Sequence, residues 1–184
     1  MATSFLILPG INDSGPEHWQ SRWERALPGA RRVKQADWDH PVCEDWVATL
    51  GRAVAEAPAD SVLIAHSLGC LLVAHAAAAR VLTPAVRGAL LVAPPDPEAP
   101  SFPIDVIRGF RPLPRQRLPF PSVLVASRND PYASFEFSVR VAEAWGSRFV
   151  DAGPAGHLNA ASGLGDWGVG RQCLEDLLVT CRTG

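Results

Sequence analysis

Apolar positions along this 184-residue chain alternate between two patterns. Short unbroken runs occupy residues 5–8, 61–66, 88–93, 122–127 and 148–151, each bounded by turn-forming or polar residues. Runs of that length, apolar on both sides, predict buried strands of a parallel sheet. A further strand is predicted to end near Ala36. Between the runs lie helical stripes. Trp19, Trp23 and Leu27 recur every four residues, in a helix expected to start at Pro16 with Ser14 as its cap. Cys43, Trp46, Val47, Leu50 and Val54 form a second stripe, and residues 68–80 an Ala-rich helix. A helix over 134–145 is expected to turn Phe135, Val139 and Ala142 inward, and a closing helix carries Leu174, Leu177, Leu178 and Cys181.

Strands alternating with helices predict an α/β fold, a mostly parallel sheet of about six strands with helices on both faces, in one domain over 1–184. Loops that can carry a site then gather at the carboxyl edge of the sheet. One segment breaks the rhythm: residues 94–121 hold nine of the 17 prolines. Proline fixes φ and removes a donor, so this stretch is expected as a long ordered loop or small cap over the sheet edge.

Composition narrows the functions. The chain is 47% hydrophobic and 20% charged with a net charge of −2, the profile of a globular protein with no field to draw nucleic acid or an anionic membrane. Arg108, Arg111, Arg115 and Arg117 read as a solvated loop, with an anionic-substrate site as the sharper alternative. Cys43, Cys70, Cys173 and Cys181 lack CxxC spacing and are expected as small apolar residues, without disulfide or metal. No secretory leader or membrane-spanning run is legible, so a cytoplasmic location is expected. Nothing calls for a cofactor.

The candidate chemistry begins at Ala65-His66-Ser67-Leu68-Gly69, between a predicted strand and a predicted helix. A serine on such a strand-to-helix elbow stands clear of the backbone, beside the helix N-terminus, and small residues two places either side let strand and helix approach. Gly69 meets that need, and Ala65 stands where glycine is usual. An acid and then a histidine should follow on loops after later strands. Asp130 follows the 122–127 strand and His157 follows the 148–151 strand. Asp96, after the 88–93 strand, is the competing acid. His157 would take the serine proton, and the acid would orient its ring. Leu68 N–H is one expected oxyanion donor; the second comes from the loop after the first strand, from Ile11 or else Asn12. His18, Trp19, Trp38 and Trp167 are candidates to wall a substrate pocket, and His66 to shape it. His75 is too far along its helix to take part. Residues 163–168 match GxGxxG by letter but follow the last strand, so a dinucleotide site is not expected; the glycines should let the histidine loop fold back over the site.

Several separated segments together resemble the small serine hydrolases related to retinoblastoma-binding protein nine and their bacterial relatives. They are Leu8-Pro9-Gly10 with His18-Trp19, Asp37-Trp38 with Pro41 and Trp46, the elbow, 126–132, Trp145-Gly146-Ser147, and 156–160 running into Ser162-Gly163 and Trp167. That similarity covers nearly the whole chain. It implies an α/β-hydrolase with Ser67, Asp130 and His157 as triad, acting on small esters or amides. The namesake's LxCxE-type partner binding is not carried over, because Arg171 stands where leucine is required and Cys173 faces inward. The expected function is cleavage of a small acyl substrate through an acyl-enzyme. The alternatives are an interaction protein of the same fold with little turnover, and transfer of the acyl group to an acceptor other than water.

Overall fold

In the computed structural model, which describes residues 3–183 apart from 59, 83 and 84, the strands are β1 (Ser4–Leu8), β2 (Ala30–Arg32), β3 (Ser61–His66), β4 (Val86–Val92), β5 (Ser122–Ala126) and β6 (Arg148–Asp151). They form one sheet in the order β2-β1-β3-β4-β5-β6 with every neighbouring pair parallel. The helices are α1 (Trp19–Ala26), α2 (Cys43–Ala55), α3 (Leu68–Ala78), α4 (Phe135–Trp145) and α5 (Gly168–Thr183).

Alternation along the strands divides the core in two. Leu6, Leu8, Leu63, Ala65, Ala89, Leu91, Leu124 and Ala126 face one side, where they pack with Trp46 and Leu50 of α2, Leu71 and Leu72 of α3, and Phe137, Val141 and Trp145 of α4. Phe5, Ile7, Val62, Ile64, Leu90, Val92, Val123 and Val125 face the other, against Trp19 and Trp23 of α1 and Leu174 and Leu177 of α5. Both faces are covered, which is why the strands read as unbroken apolar runs.

Two boundaries and one helix face differ most from the sequence reading. α1 starts at Trp19 rather than Pro16: His18 is its cap, with Nδ1 accepting the Gln20 N–H at 3.1 Å. Ser14 instead donates its hydroxyl to Gln20 Oε1 at 2.8 Å. β2 stops at Arg32, well before Ala36, because its partner runs out; Val33 N–H still reaches Ile7 O, but β1 ends at Leu8 before Pro9, which has no N–H to offer. On α4 the deeply buried residues are Phe137, Val141, Ala142 and Trp145, while Phe135 and Val139 are half-buried. Two overlapping stripes run along that helix, and the Trp145 Nε1–H bond to Pro114 O (2.8 Å) belongs to the one that faces in.

Residues 94–121 form an ordered cap without helix or strand, joined to the body by the bridge between Val42 and Arg108. Phe102, Ile107, Phe110, Leu113 and Leu118 drop into the α2–α3–α4 core. His75 Nε2 bonds Phe110 O at 3.2 Å, placing that histidine in the fold rather than the site. Arg108, Arg111, Arg115 and Arg117 are exposed, as a solvated loop requires. The four cysteines are free and buried. Among the described residues no helix is long and apolar enough to cross a membrane.

Candidate active site

The carboxyl edge of the sheet is built around Ser67. It sits between β3 and α3 at φ 54° and ψ −123°, a conformation that costs a non-glycine residue about 1–3 kcal/mol and persists only where the surroundings impose it. Ser67 N–H donates to Val92 O of β4, and its carbonyl accepts the Cys70 N–H, both at 2.9 Å. Close approach is the other constraint: a Cβ on Gly69 would overlap the Leu8 carbonyl oxygen, and one on Gly10 would stand 2.9 Å from Ser67 Cβ. Ala65, paired with Leu8 across the sheet, is completely buried, so a methyl group fits where glycine is usual.

His157 Nε2 lies 2.9 Å from Ser67 Oγ, and His157 Nδ1 lies 2.8 and 3.0 Å from the two oxygens of Asp130. The side chains of His157 and Asp130 are 8% and 4% exposed, so the pair is nearly dry. Asp130 Oδ1 also accepts the Tyr132 N–H at 2.9 Å, which orients the carboxylate. Among the described residues no hydrogen bond or ion pair joins Asp96 to the histidine; its Oδ1 accepts the Glu98 N–H in a local turn.

The histidine loop is fixed from several sides. Ala155 N–H donates to Ser127 Oγ (2.9 Å) and Gly156 N–H to Asn129 Oδ1 (2.8 Å), joining it to the loop that carries Asp130. His66 Nε2–H donates to the His157 carbonyl at 2.9 Å, and Trp19 Nε1–H to the Leu158 carbonyl at 2.8 Å. Ser127 and Asn129 were visible in the sequence only as neighbours of Asp130; no local signal marks them as braces.

Of the candidate oxyanion donors, Asn12 is corrected: its N–H is committed to Trp38 O at 2.9 Å. The N–H groups of Ile11 and Leu68 have no partner among the described residues.

A cavity of about 570 Å³ opens on Ser67 and His157. His18 and His66 line it. The three tryptophans do not. Trp19 and Trp167 are buried with Trp23, the Trp19 ring centroid 4.8 Å from each of the other two, and Trp38 packs edge-on against Trp46. Large flat rings contribute most as core. Gly163 and Gly165 take positive φ in the loop between His157 and Trp167; Trp167 sits in that cluster, while Asn159, Ala160 and Ala161 of the same loop line the cavity. The lining missed in the sequence is Tyr132, 4.5 Å from the His157 ring, and the cap residues Pro95, Phe102, Pro103 and Ile107. Apolar residues in a Pro-rich stretch were the available signal.

The histidines beside the base are uncharged. Burial and the Arg32 guanidinium hold His18 down to about 4, and complete burial beside His157 and His18 holds His66 well below the ordinary imidazole range. Both rings are released to about 6.5 on unfolding. Between about pH 4 and 6.5 the unfolded chain therefore binds more protons than the native one, and stability falls as pH is lowered through that window. The expected result is a lower urea midpoint at pH 5 than at pH 7, with a slope approaching about 1.4 kcal/mol per pH unit for each such ring. A midpoint that does not move would contradict the burial of these rings as neutral groups.

An imidazole held by a carboxylate and aimed at a serine hydroxyl on a strand-to-helix elbow can accept that proton, and the parallel sheet beneath is that of the α/β-hydrolases. The serine hydrolase family matches residues 5–176, and the chain belongs to it. It is similar to a YdeN-like hydrolase from Pectobacterium atrosepticum, at 34% identity over 97% of this chain and 92% of that one, with a TM-score of 0.84. The ydeN gene product of B. subtilis shares 20% identity over the whole of both chains (TM-score 0.76). A hydrolase of the α/β superfamily from Xanthomonas campestris shares 19% over 97% and 99% (TM-score 0.67). No curated protein matches the chain. Among the described residues no group of three or more His, Cys, Asp or Glu side chains is placed to hold a metal ion.

Proposed function

We propose that the protein is a carboxylesterase-like serine hydrolase that cleaves a small ester through an acyl-enzyme on Ser67. His157 Nε2 takes the Ser67 proton as Oγ attacks the carbonyl carbon. The oxygen that becomes negative is met by the N–H groups of Leu68 and Ile11. The tetrahedral adduct collapses as His157 returns the proton to the leaving alcohol. Water, deprotonated by the same ring, then frees the acid and restores Ser67. Asp130 keeps the Nδ1 proton in place and stabilises the imidazolium at each step. The observation that carries this reading is the hydrogen-bonded line from Ser67 Oγ through His157 to Asp130 at the floor of a cavity. Within the family, the separated segments from Leu8-Pro9-Gly10 to Trp167 favour relatives of retinoblastoma-binding protein nine.

A fluorophosphonate probe tests the activation of the serine directly. The wild-type protein should be labelled stoichiometrically at Ser67, and Ser67→Ala should not be labelled. A folded wild-type chain that stays unlabelled, and turns over no p-nitrophenyl ester from acetate to octanoate, would instead be an interaction protein on a hydrolase frame.

A further inference from the structure

The cavity at Ser67 has walls of different chemistry, drawn from opposite faces of the sheet. On the α2–α3–α4 side the wall is Pro95, Phe102, Pro103 and Ile107, and two of these, Phe102 and Ile107, are part of that face's apolar core. On the α1–α5 side it is Asp13, His18 and Asn159, next to Trp19 and Leu158 of the other core.

The second wall carries donors without acceptors. His18 is 5% exposed, and its Nδ1 accepts the Gln20 N–H; a neutral ring therefore has its proton on Nε2, and Nε2 is buried with no partner among the described residues. Unpaired buried N–H groups are rare and costly, and because His18 lines the cavity, a small shift of its ring would present Nε2–H to a ligand oxygen. Asn159 also lines the cavity; its Oδ1 is taken by the Ala161 N–H, so its amide N–H groups are the donors it has left. Charge adds a third constraint. Among the described residues the charged side chains lining the cavity are Asp13, already paired with Arg32 at 2.6 Å, and Asp96, with no Lys or Arg beside them.

We infer that the substrate is an uncharged ester with an aliphatic acyl group, seated against Phe102 and Ile107, and a hydroxyl-bearing leaving group, seated against His18 and Asn159. The assignment rests on Ser67 and His157 acting as proposed. The leaving oxygen must take its proton from His157 Nε2, so the leaving group lies on the side of the histidine loop, which carries Asn159 and meets His18. An aliphatic acyl chain then finds the apolar cap wall. A carboxylate or phosphate would meet two aspartates and no cation, so anionic esters are disfavoured. His18 stays an uncharged donor at neutral pH, since its protonation needs a pH near 4.

Three butyrate esters with one acyl group test this: propyl, 2,3-dihydroxypropyl and 2-carboxyethyl butyrate, followed by titration of the released acid. The wild-type protein should hydrolyse the dihydroxypropyl ester with kcat/KM about tenfold above the propyl ester, the worth of one well-made hydrogen bond, and the carboxyethyl ester most slowly. In His18→Asn, which keeps a helix-capping side chain but lacks the Nε2 donor, the dihydroxypropyl preference should fall towards one. Equal kcat/KM for the propyl and dihydroxypropyl esters overturns the inference from the wild-type measurement alone, whether or not the variant folds. An unaltered preference in a folded His18→Asn variant also overturns it. Absence of any Ser67-dependent turnover on all three esters overturns the hydrolase reading itself, a different outcome from turnover without preference.

Discussion

Ser67→Ala is expected to lower kcat on a p-nitrophenyl ester by about 10⁴- to 10⁶-fold with little change in KM, because it removes the only atom that can form the acyl-enzyme while the rest of the cavity stays in place. What remains is the acceleration from binding and from the Leu68 and Ile11 amides. The structure supplies a control on folding. Ser67 is held at φ 54°, and alanine at that position inherits the same strained backbone, so Ser67→Ala should melt close to the wild type. Ser67→Gly should lose activity equally but relieve the strain, which at about 1 kcal/mol corresponds to a rise of about 2–4 °C in Tm. Activity within tenfold of wild type in Ser67→Ala would end the acyl-enzyme account.

Asp130→Asn has the next largest expected effect, a fall of about 10³- to 10⁴-fold in kcat. The carboxylate accepts from His157 Nδ1 at 2.8 and 3.0 Å in a nearly dry setting. An asparagine there can turn its NH₂ towards Nδ1, which then accepts instead of donating. The ring proton moves to Nε2, facing Ser67 Oγ, and the ring can no longer take the hydroxyl proton. Asp96→Asn should cost far less, since the Asp96 carboxylate accepts from the Glu98 N–H and has no hydrogen bond to His157 among the described residues. Steady-state kinetics on the two variants decides between the acids, and a larger loss in Asp96→Asn would reverse the assignment.

The elements that define the class were legible in the sequence, and the reason is local. A strand of buried apolar residues, a sharp turn and an Ala-rich helix are each specified within a few residues, so Ser67 could be placed on its elbow from the 65–69 segment and its flanks. Asp130 and His157 could be placed almost as well, because parallel crossovers deliver every strand's carboxyl end to one edge. Chain order then decides which loops meet there. β3 and β6 span the residues expected of them, and α3 differs only in its last turn.

The parts that depended on pairing between distant residues were not legible. A tryptophan near a motif looks the same whether it walls a pocket or fills a core; Trp19 is core because Leu158, 139 residues away, accepts its N–H. Asn12 was an open choice as an oxyanion donor until the Trp38 carbonyl took its amide. The stripe of α4 that faces inward was decided by what Phe137 and Trp145 meet across the sheet and the cap. By itself the sequence determined the parallel α/β frame, the elbow and the order of the three polar side chains, since periodicity and turn chemistry act over short spans. Only the tertiary structure decided which rings line the cavity, which amides stay free and which histidine is left without an acceptor, because each depends on a partner that folding brings from elsewhere in the chain.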